Sequence, residues 1–223
     1  MQEDRLERIF NLAYELLRKK INGKRIRVDN EASLQLQFAA ILQSLGGLFE
    51  FARGEHFSIE LEKAVTIQGH SFGKSSSNKA KIDVYYSYLL PDGKISESCA
   101  VEMKFFKAAN QREPNNRCDA FDDIRNLEDY YGIANRCYLL VATDHDHYVS
   151  KEAYSPDTAD FDFREGASYA AGAEAAYKTA KSYGPPITLR NSYKFAWDQA
   201  AGGLHFLKLP VQPLPLAPSQ IAG

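Results

Sequence analysis

The sequence predicts an α/β fold, a central mixed β-sheet flanked by helices. Three observations carry that reading. Two amphipathic helical patterns open the chain. Three strand patterns follow, the last two joined by the short turn PDGK. A further helical pattern then leads to RCYLLVAT, an almost wholly apolar run, so the order is α-α-β-β-β-α-β. A continuous apolar run suits a strand buried on both faces, which requires helices on both sides of the sheet. With 223 residues the chain can enclose one full core, and it shows neither repeat nor linker. One domain spanning 1–223 is expected.

The first helix is expected over residues 4 to 20, where Leu6, Ile9, Phe10, Ala13, Leu16 and Leu17 share a face and Gly23 provides a stop. The second starts near Asp29 or Asn30, both good N-caps, and ends at Gly46 and Gly47. Its stripe is Leu34, Phe38, Ile41, Leu42 and Leu45. Residues 57 to 67 alternate in part and read as a strand. GHSFGKSSSN reads as a loop. Residues 81 to 90, KIDVYYSYLL, and the ESCAVEMKFF run flank the PDGK turn as a hairpin. Residues 115 to 133 read as a helix with Phe121, Ile124, Leu127 and Tyr131 inward, and residues 136 to 143 as the buried strand. Beyond it, Ala-rich residues 163 to 184 are expected to be helical. ITLRNSYKFAWDQ and LHFLKLPV form a late hairpin around AAGG, and a proline-rich tail, about 210–223, is irregular.

Composition excludes little. Hydrophobic content of 44%, charge content of 25% and a net charge of −2 are those of an ordinary soluble protein. The net charge is no nucleic-acid signature, although a local basic patch can do that work. Apolar runs such as FAAIL are too short for a membrane span, so no membrane partner is expected. The acidic start, MQEDRLERIF, is unlike a secretory signal. Cys99, Cys118 and Cys137 are odd in number and lack a CxxC pairing, which reads as reduced thiols in a cytoplasmic protein. There is no GxxxxGK[ST] and no GxSxG.

The chemistry concentrates in CAVEMKFF. Glu102 and Lys104 interrupt an apolar strand and, two positions apart, share a face. Asp83 interrupts the preceding strand in the same way, and the hairpin sets the two side by side. Two close, buried carboxylates repel and are each penalised by burial. A hard divalent cation removes both problems, since Mg²⁺ takes one or two carboxylates together with waters and a substrate phosphate. Lys104 beside them would stabilise phosphate charge or assist a hydrolytic water. Glu31 precedes Leu34 by three and Phe38 by seven, so it faces inward on its helix and needs a partner there.

Asp83, Glu102-Met103-Lys104 and the upstream helical Glu31 resemble the PD-(D/E)XK nuclease superfamily. The first half of the motif stands as KID and the second as EMK, 19 positions apart (102 − 83). The resemblance implies a restriction-endonuclease-like core, α-β-β-β-α-β, over about 30–143. The first helix would be an addition, and everything after residue 143 an elaboration. It also implies that Asp83 and Glu102 bind Mg²⁺, with Mn²⁺ able to substitute, joined by the Met103 backbone carbonyl and Glu31, and that Lys104 supports the attacking water. The bland alternative reads Glu102 and Lys104 as a solvated ion pair, Asp83 as an edge-strand charge and Glu31 as a helix-dipole partner.

Phosphate contacts are expected from the basic run containing Lys20, Lys24, Arg25 and Arg27, from Lys74 and Lys79 around the Ser-rich loop, and from Lys107 and Arg112 beyond the motif strand, with Gln111 and Arg117 nearby. Asp122 and Asp123 read as solvated. DHDH, residues 144 to 147, looks like a metal cluster, but contiguous loop residues seldom converge on one ion. Trp197, Tyr193 and Phe195 read as packing. The function expected is a Mg²⁺-dependent endonuclease of restriction or repair type acting on DNA, with a homodimer able to address both strands. Two rivals use the same fold: a catalytically retired binding module, and an RNA-directed nuclease. For the latter, only Tyr85 of the three strand tyrosines would lie beside Asp83.

Overall fold

A computed structural model describes residues 4–66 and 79–215. Lys74 and the whole of the Ser-rich loop lie outside the described residues. So do the side chain of Lys79 and the tail from 216.

Helix α1 (Arg5–Asn22) starts at Asp4, whose carboxylate accepts the Glu7 N–H at 2.8 Å. This satisfies a first-turn donor that has no partner within the helix. It buries Leu6, Ile9, Phe10, Ala13 and Leu17. Helix α2 (Glu31–Gly46) starts from an Asn30–Ser33 capping box, so its first residue, Glu31, is held in place by the cap. Strands β1 (His56–Thr66), β2 (Lys79–Leu89) and β3 (Ile95–Phe106) form an antiparallel meander. Helix α3 (Glu113–Glu128) crosses back, and β4 (Arg136–Thr143) pairs parallel to β3. The two-residue strands β5 (Ser168–Tyr169), β6 (Glu174–Ala175), β7 (Ile187–Thr188) and β8 (Tyr193–Lys194) follow. The hairpin β9 (Trp197–Ala201) and β10 (Leu204–Val211) completes the sheet, whose order is β1-β2-β3-β4-β10-β9.

The α/β class and the mixed central sheet are therefore as expected. Two cores flank the sheet. On one face, Phe10, Leu17, Leu34 and Phe38 pack on Val84, Tyr86, Val101, Met103, Tyr138 and Phe206. On the other, Phe121, Ile124 and Leu127 pack on Tyr85, Ala100, Leu139 and Val141, together with Phe161, Phe163, Phe195, Leu207 and Leu209. Side-chain alternation along β3 sends Val101, Met103 and Phe105 to the first core and Ala100 and Phe106 to the second. All three cysteines are buried, and none of them forms a disulfide. By length and composition Glu31–Phe49 could cross a bilayer, but in the fold its Leu34, Phe38, Ile41 and Leu42 are core residues.

Three expectations are corrected. Residues 163 to 184 are not helical. Gly166 and Gly172 take φ of +82° and +84°, which breaks a right-handed helix. The segment instead pairs through β5 and β6 with β8 and β7. The late hairpin is shorter than expected. Only β9 and β10 form it, turning at Gly202 and Gly203, both at positive φ. Nor is the part beyond residue 143 a mere elaboration. β10 lies beside β4, and its Leu207 and Leu209 fill the second core.

Candidate functional site

β2 and β3 stay paired from the hairpin turn as far as Val84 and Val101. Beyond that point β3 runs on without β2, which opens a notch in the sheet. Backbone N–H groups exposed in such a notch need acceptors. Asp83 supplies one, accepting the Met103 N–H at 2.6 Å. Glu31 supplies another, with Oε2 3.4 Å from the Phe105 nitrogen. The Met103 carbonyl faces the same space, 3.3 Å from Lys104 Nζ. Asp83, Glu31 and the Met103 carbonyl therefore meet Lys104 at the notch, and Glu102 lies near enough to act on the charge of Lys104.

Glu102 and Lys104 share the face turned to α3, as the alternation requires. Glu102 is only 5% exposed, and its Oε1 accepts a hydrogen bond from the Tyr130 hydroxyl at 3.0 Å. Burial, reinforced by Asp123 and Asp83, raises the Glu102 carboxyl well above its ordinary range. Burial also lifts Asp83, to about 6, against the opposing pull of Lys104 and the Met103 N–H. Glu31 is raised as well, chiefly by burial. Burial works against the Lys104 ammonium, but Asp123, then Glu31, Asp83 and Glu102, outweigh it and hold Lys104 above the ordinary lysine value.

Four participants were not anticipated. Asp123, expected to be solvated, lies with Oδ2 2.6 Å from Lys104 Nζ, and its side chain is mostly buried. Its signal was present: it stands three after Ala120, four before Leu127 and seven before Tyr130, on the inward stripe of α3. Tyr130 follows just past the end of α3. Gln35, one turn beyond Glu31, donates to the Asp83 carbonyl and, at 3.3 Å, to Glu62. Glu62 interrupts β1 at φ +53°, between residues paired with Val84 and Ile82. That kink marks where β1 bends around the notch, and periodicity cannot announce it.

The basic candidates divide. Lys20, Lys24, Arg25 and Arg27 are exposed around the connection that leads into Glu31, and Arg27 pairs with Asp29 at 2.8 Å. Lys107 lies just past the end of β3, near the Phe105 ring. Arg112 is exposed and donates to the Tyr183 hydroxyl at 3.2 Å. Arg117 is corrected: it is 2% exposed, bonds the Thr158 and Phe161 carbonyls at 2.9 Å and stacks on Tyr154, so it anchors a loop. The DHDH side chains diverge. Asp144 accepts the Ala108 N–H, His145 meets Glu113, and Asp146 meets His205. Trp197 packs on Phe163 and donates to its carbonyl, as expected of a packing residue. Tyr85, Tyr86 and Tyr88 use their hydroxyls on the carbonyls of Ile133, Leu6 and Gly46 and offer no stacking platform.

Among the described residues, no group of three or more His, Cys, Asp or Glu stands close enough, as arranged, to enclose an ion. The donor set nonetheless fits Mg²⁺, which needs only one or two carboxylates beside a carbonyl oxygen and waters. Asp83, Glu102 and the Met103 carbonyl are hard oxygen donors on adjoining strands. The penalty on the ionised Glu102 and Asp83 is of the kind a cation relieves. No protein family, curated protein or solved structure matches the chain.

Proposed function

We propose that this chain is a divalent-metal-dependent phosphodiesterase acting on DNA, a nuclease of the PD-(D/E)XK type. The observation that carries the reading is the notch at the end of the β2–β3 pairing. There Asp83 and Glu102, both disfavoured as carboxylates by burial, lie near Lys104 and the Met103 carbonyl on adjoining strands. The element order α2-β1-β2-β3-α3-β4 is also that of the nuclease core the motif implies.

In this reading Asp83, Glu102 and the Met103 carbonyl hold Mg²⁺, or Mn²⁺ in its place, and Glu31 lies at its margin. When bound, the ion supplies charge neutralisation at a phosphoryl oxygen and eases deprotonation of a water. The chain's own groups do the rest. Lys104 brings a positive charge to the phosphate as it accumulates negative charge. Tyr130 fixes the orientation of Glu102. Lys24, Arg25, Arg27 and Lys107 offer phosphate contacts that position the strand without reading its sequence. A homodimer would set two such notches on opposite strands.

The test is cleavage of supercoiled plasmid, linear duplex, single-stranded DNA and RNA with Mg²⁺ or Mn²⁺, beside an EDTA control and Glu102→Ala. Metal-dependent nicking should be lost in the variant while its circular dichroism is retained. Cleavage surviving in Glu102→Ala would refute the assignment, and a preference for RNA would redirect it to the RNA nuclease reading. A second reading, a retired nuclease-fold binding module, draws on a specific observation. Asp83 and Glu31 already accept the Met103 and Phe105 N–H groups, a role that needs no metal. Calorimetry showing no Mg²⁺ or Mn²⁺ binding to the intact chain would favour it.

A further inference from the structure

Lys104 has four carboxylates acting on its charge, those of Asp123, Glu31, Asp83 and Glu102. Among the described residues, only Asp123 forms an ion pair with it, at 2.6 Å. Asp123 comes from the middle of α3, an element that contributes no metal donor in the proposed mechanism. Neither partner is free to swing, because the side chains of Lys104 and Asp123 are 18% and 16% exposed. An ammonium has three N–H donors. The Met103 carbonyl accepts one at 3.3 Å, and Asp123 holds the ammonium as an ion partner rather than through an aligned hydrogen bond. Without Asp123, the ammonium would be drawn to the carboxylates in the notch and would compete there with a cation.

We propose that Asp123 is a positioning residue that tethers the Lys104 ammonium to α3, keeping it beside the scissile phosphate and off the metal-binding carboxylates. The inference rests on the phosphodiesterase reading above. It separates two jobs that the motif alone leaves merged. Asp83 and Glu102 serve the cation, while Asp123 serves the lysine and touches neither substrate nor metal. Replacing Asp123 should therefore affect the rate of bond cleavage and the cation requirement, but leave DNA affinity alone.

The experiment compares wild type, Asp123→Asn and Asp123→Glu in steady-state cleavage, with Mg²⁺ affinity measured calorimetrically. A double-mutant cycle of Lys104→Met and Asp123→Leu is read from urea unfolding of the metal-free protein. Expected are a fall in kcat of about 100-fold in Asp123→Asn, the size typical of losing one positioned electrostatic group, with KM for DNA unchanged and Mg²⁺ affinity several-fold weaker. Asp123→Glu should recover part of kcat. In the cycle the double variant should lower the unfolding midpoint by less than the two single variants together. Wild-type kcat in Asp123→Asn, or strict additivity in the cycle, would overturn the positioning role while leaving the nuclease reading intact. A wild-type chain that binds no cation and cleaves no substrate would fail the nuclease reading and overturn the inference with it, even if the cycle still showed coupling.

Discussion

In the proposed reading, Glu102 would serve chemistry at the expense of stability. Its carboxylate has one hydrogen bond from Tyr130 and a buried setting that disfavours its charge. Glutamine has the same shape without the charge. Glu102→Gln should therefore leave the metal-free protein equally stable, or more stable by about 1–2 kcal/mol, while lowering metal-dependent cleavage about 100-fold or more. Parallel thermal melts and cleavage assays would check both halves. Asp83 adds a pH dependence. Its carboxyl is raised from an ordinary value near 3.8 to about 6, so the folded state holds this proton more tightly than the unfolded state. The stabilising contribution is then complete below about pH 4 and is lost as pH rises through about 6. It amounts to at most about 3 kcal/mol. Urea midpoints of metal-free wild type and Asp83→Asn, measured between pH 4 and 7, should diverge over that window, the variant lacking the decline. In the proposed reading Mg²⁺ would have to displace the same proton, so its affinity should weaken below about pH 6.

At the scale of the element, α2 matters because it delivers Glu31 and Gln35 to the notch, and its far end is pinned by contact. Gly46 closes α2 in ordinary helical conformation, so the requirement for glycine there is one of space. A Cβ at this position would lie 2.1 Å from the ring of Phe57, which is 2% exposed. Helix propensity alone would favour Gly46→Ala by about 1 kcal/mol, but overpacking of this kind costs about 1–3 kcal/mol. The substitution should therefore be neutral to destabilising by about 2 kcal/mol in urea unfolding, and a clear gain in stability would contradict the packing. The element boundaries were read from sequence to within a few residues wherever periodicity and caps agreed, as at Asn30 and Gly23. They failed at residues 163 to 184, where alanine content suggests helix. There each two-residue strand is held by a partner in the 187 to 194 stretch, a pairing that local propensity cannot register.

For the whole molecule, the two cores reach well beyond residue 143. The second contains Tyr148, Phe161, Phe163, Ile187, Leu189, Tyr193, Phe195, Leu207 and Leu209, all after residue 143. Buried Glu128 ties α3 to this part by accepting from the Arg190 and Asn191 backbone N–H groups and the Tyr193 hydroxyl. A chain ending at residue 143 should not fold cooperatively. It would lose these apolar partners, and β4 would become an exposed apolar edge. Strong dye binding to exposed apolar surface, with loss of near-ultraviolet dichroism, is the expected outcome. A cooperative melt of the truncated chain would contradict it.

Sequence alone determined the helices α1, α2 and α3, the strands β1 to β4, and the nearness of Asp83, Glu102 and Glu31 to Lys104. Those features rest on short-range rules: periodicity, capping, a tight turn and the alternation of side chains along a strand. Tertiary structure decided what depends on distant partners. It made Asp123 the partner of Lys104, buried Arg117 as an anchor, bent β1 at Glu62 and placed β10 beside β4. A charged residue reads the same in sequence whether it faces water or an opposite charge. Only packing, which sets its solvation and its neighbours, tells the two apart.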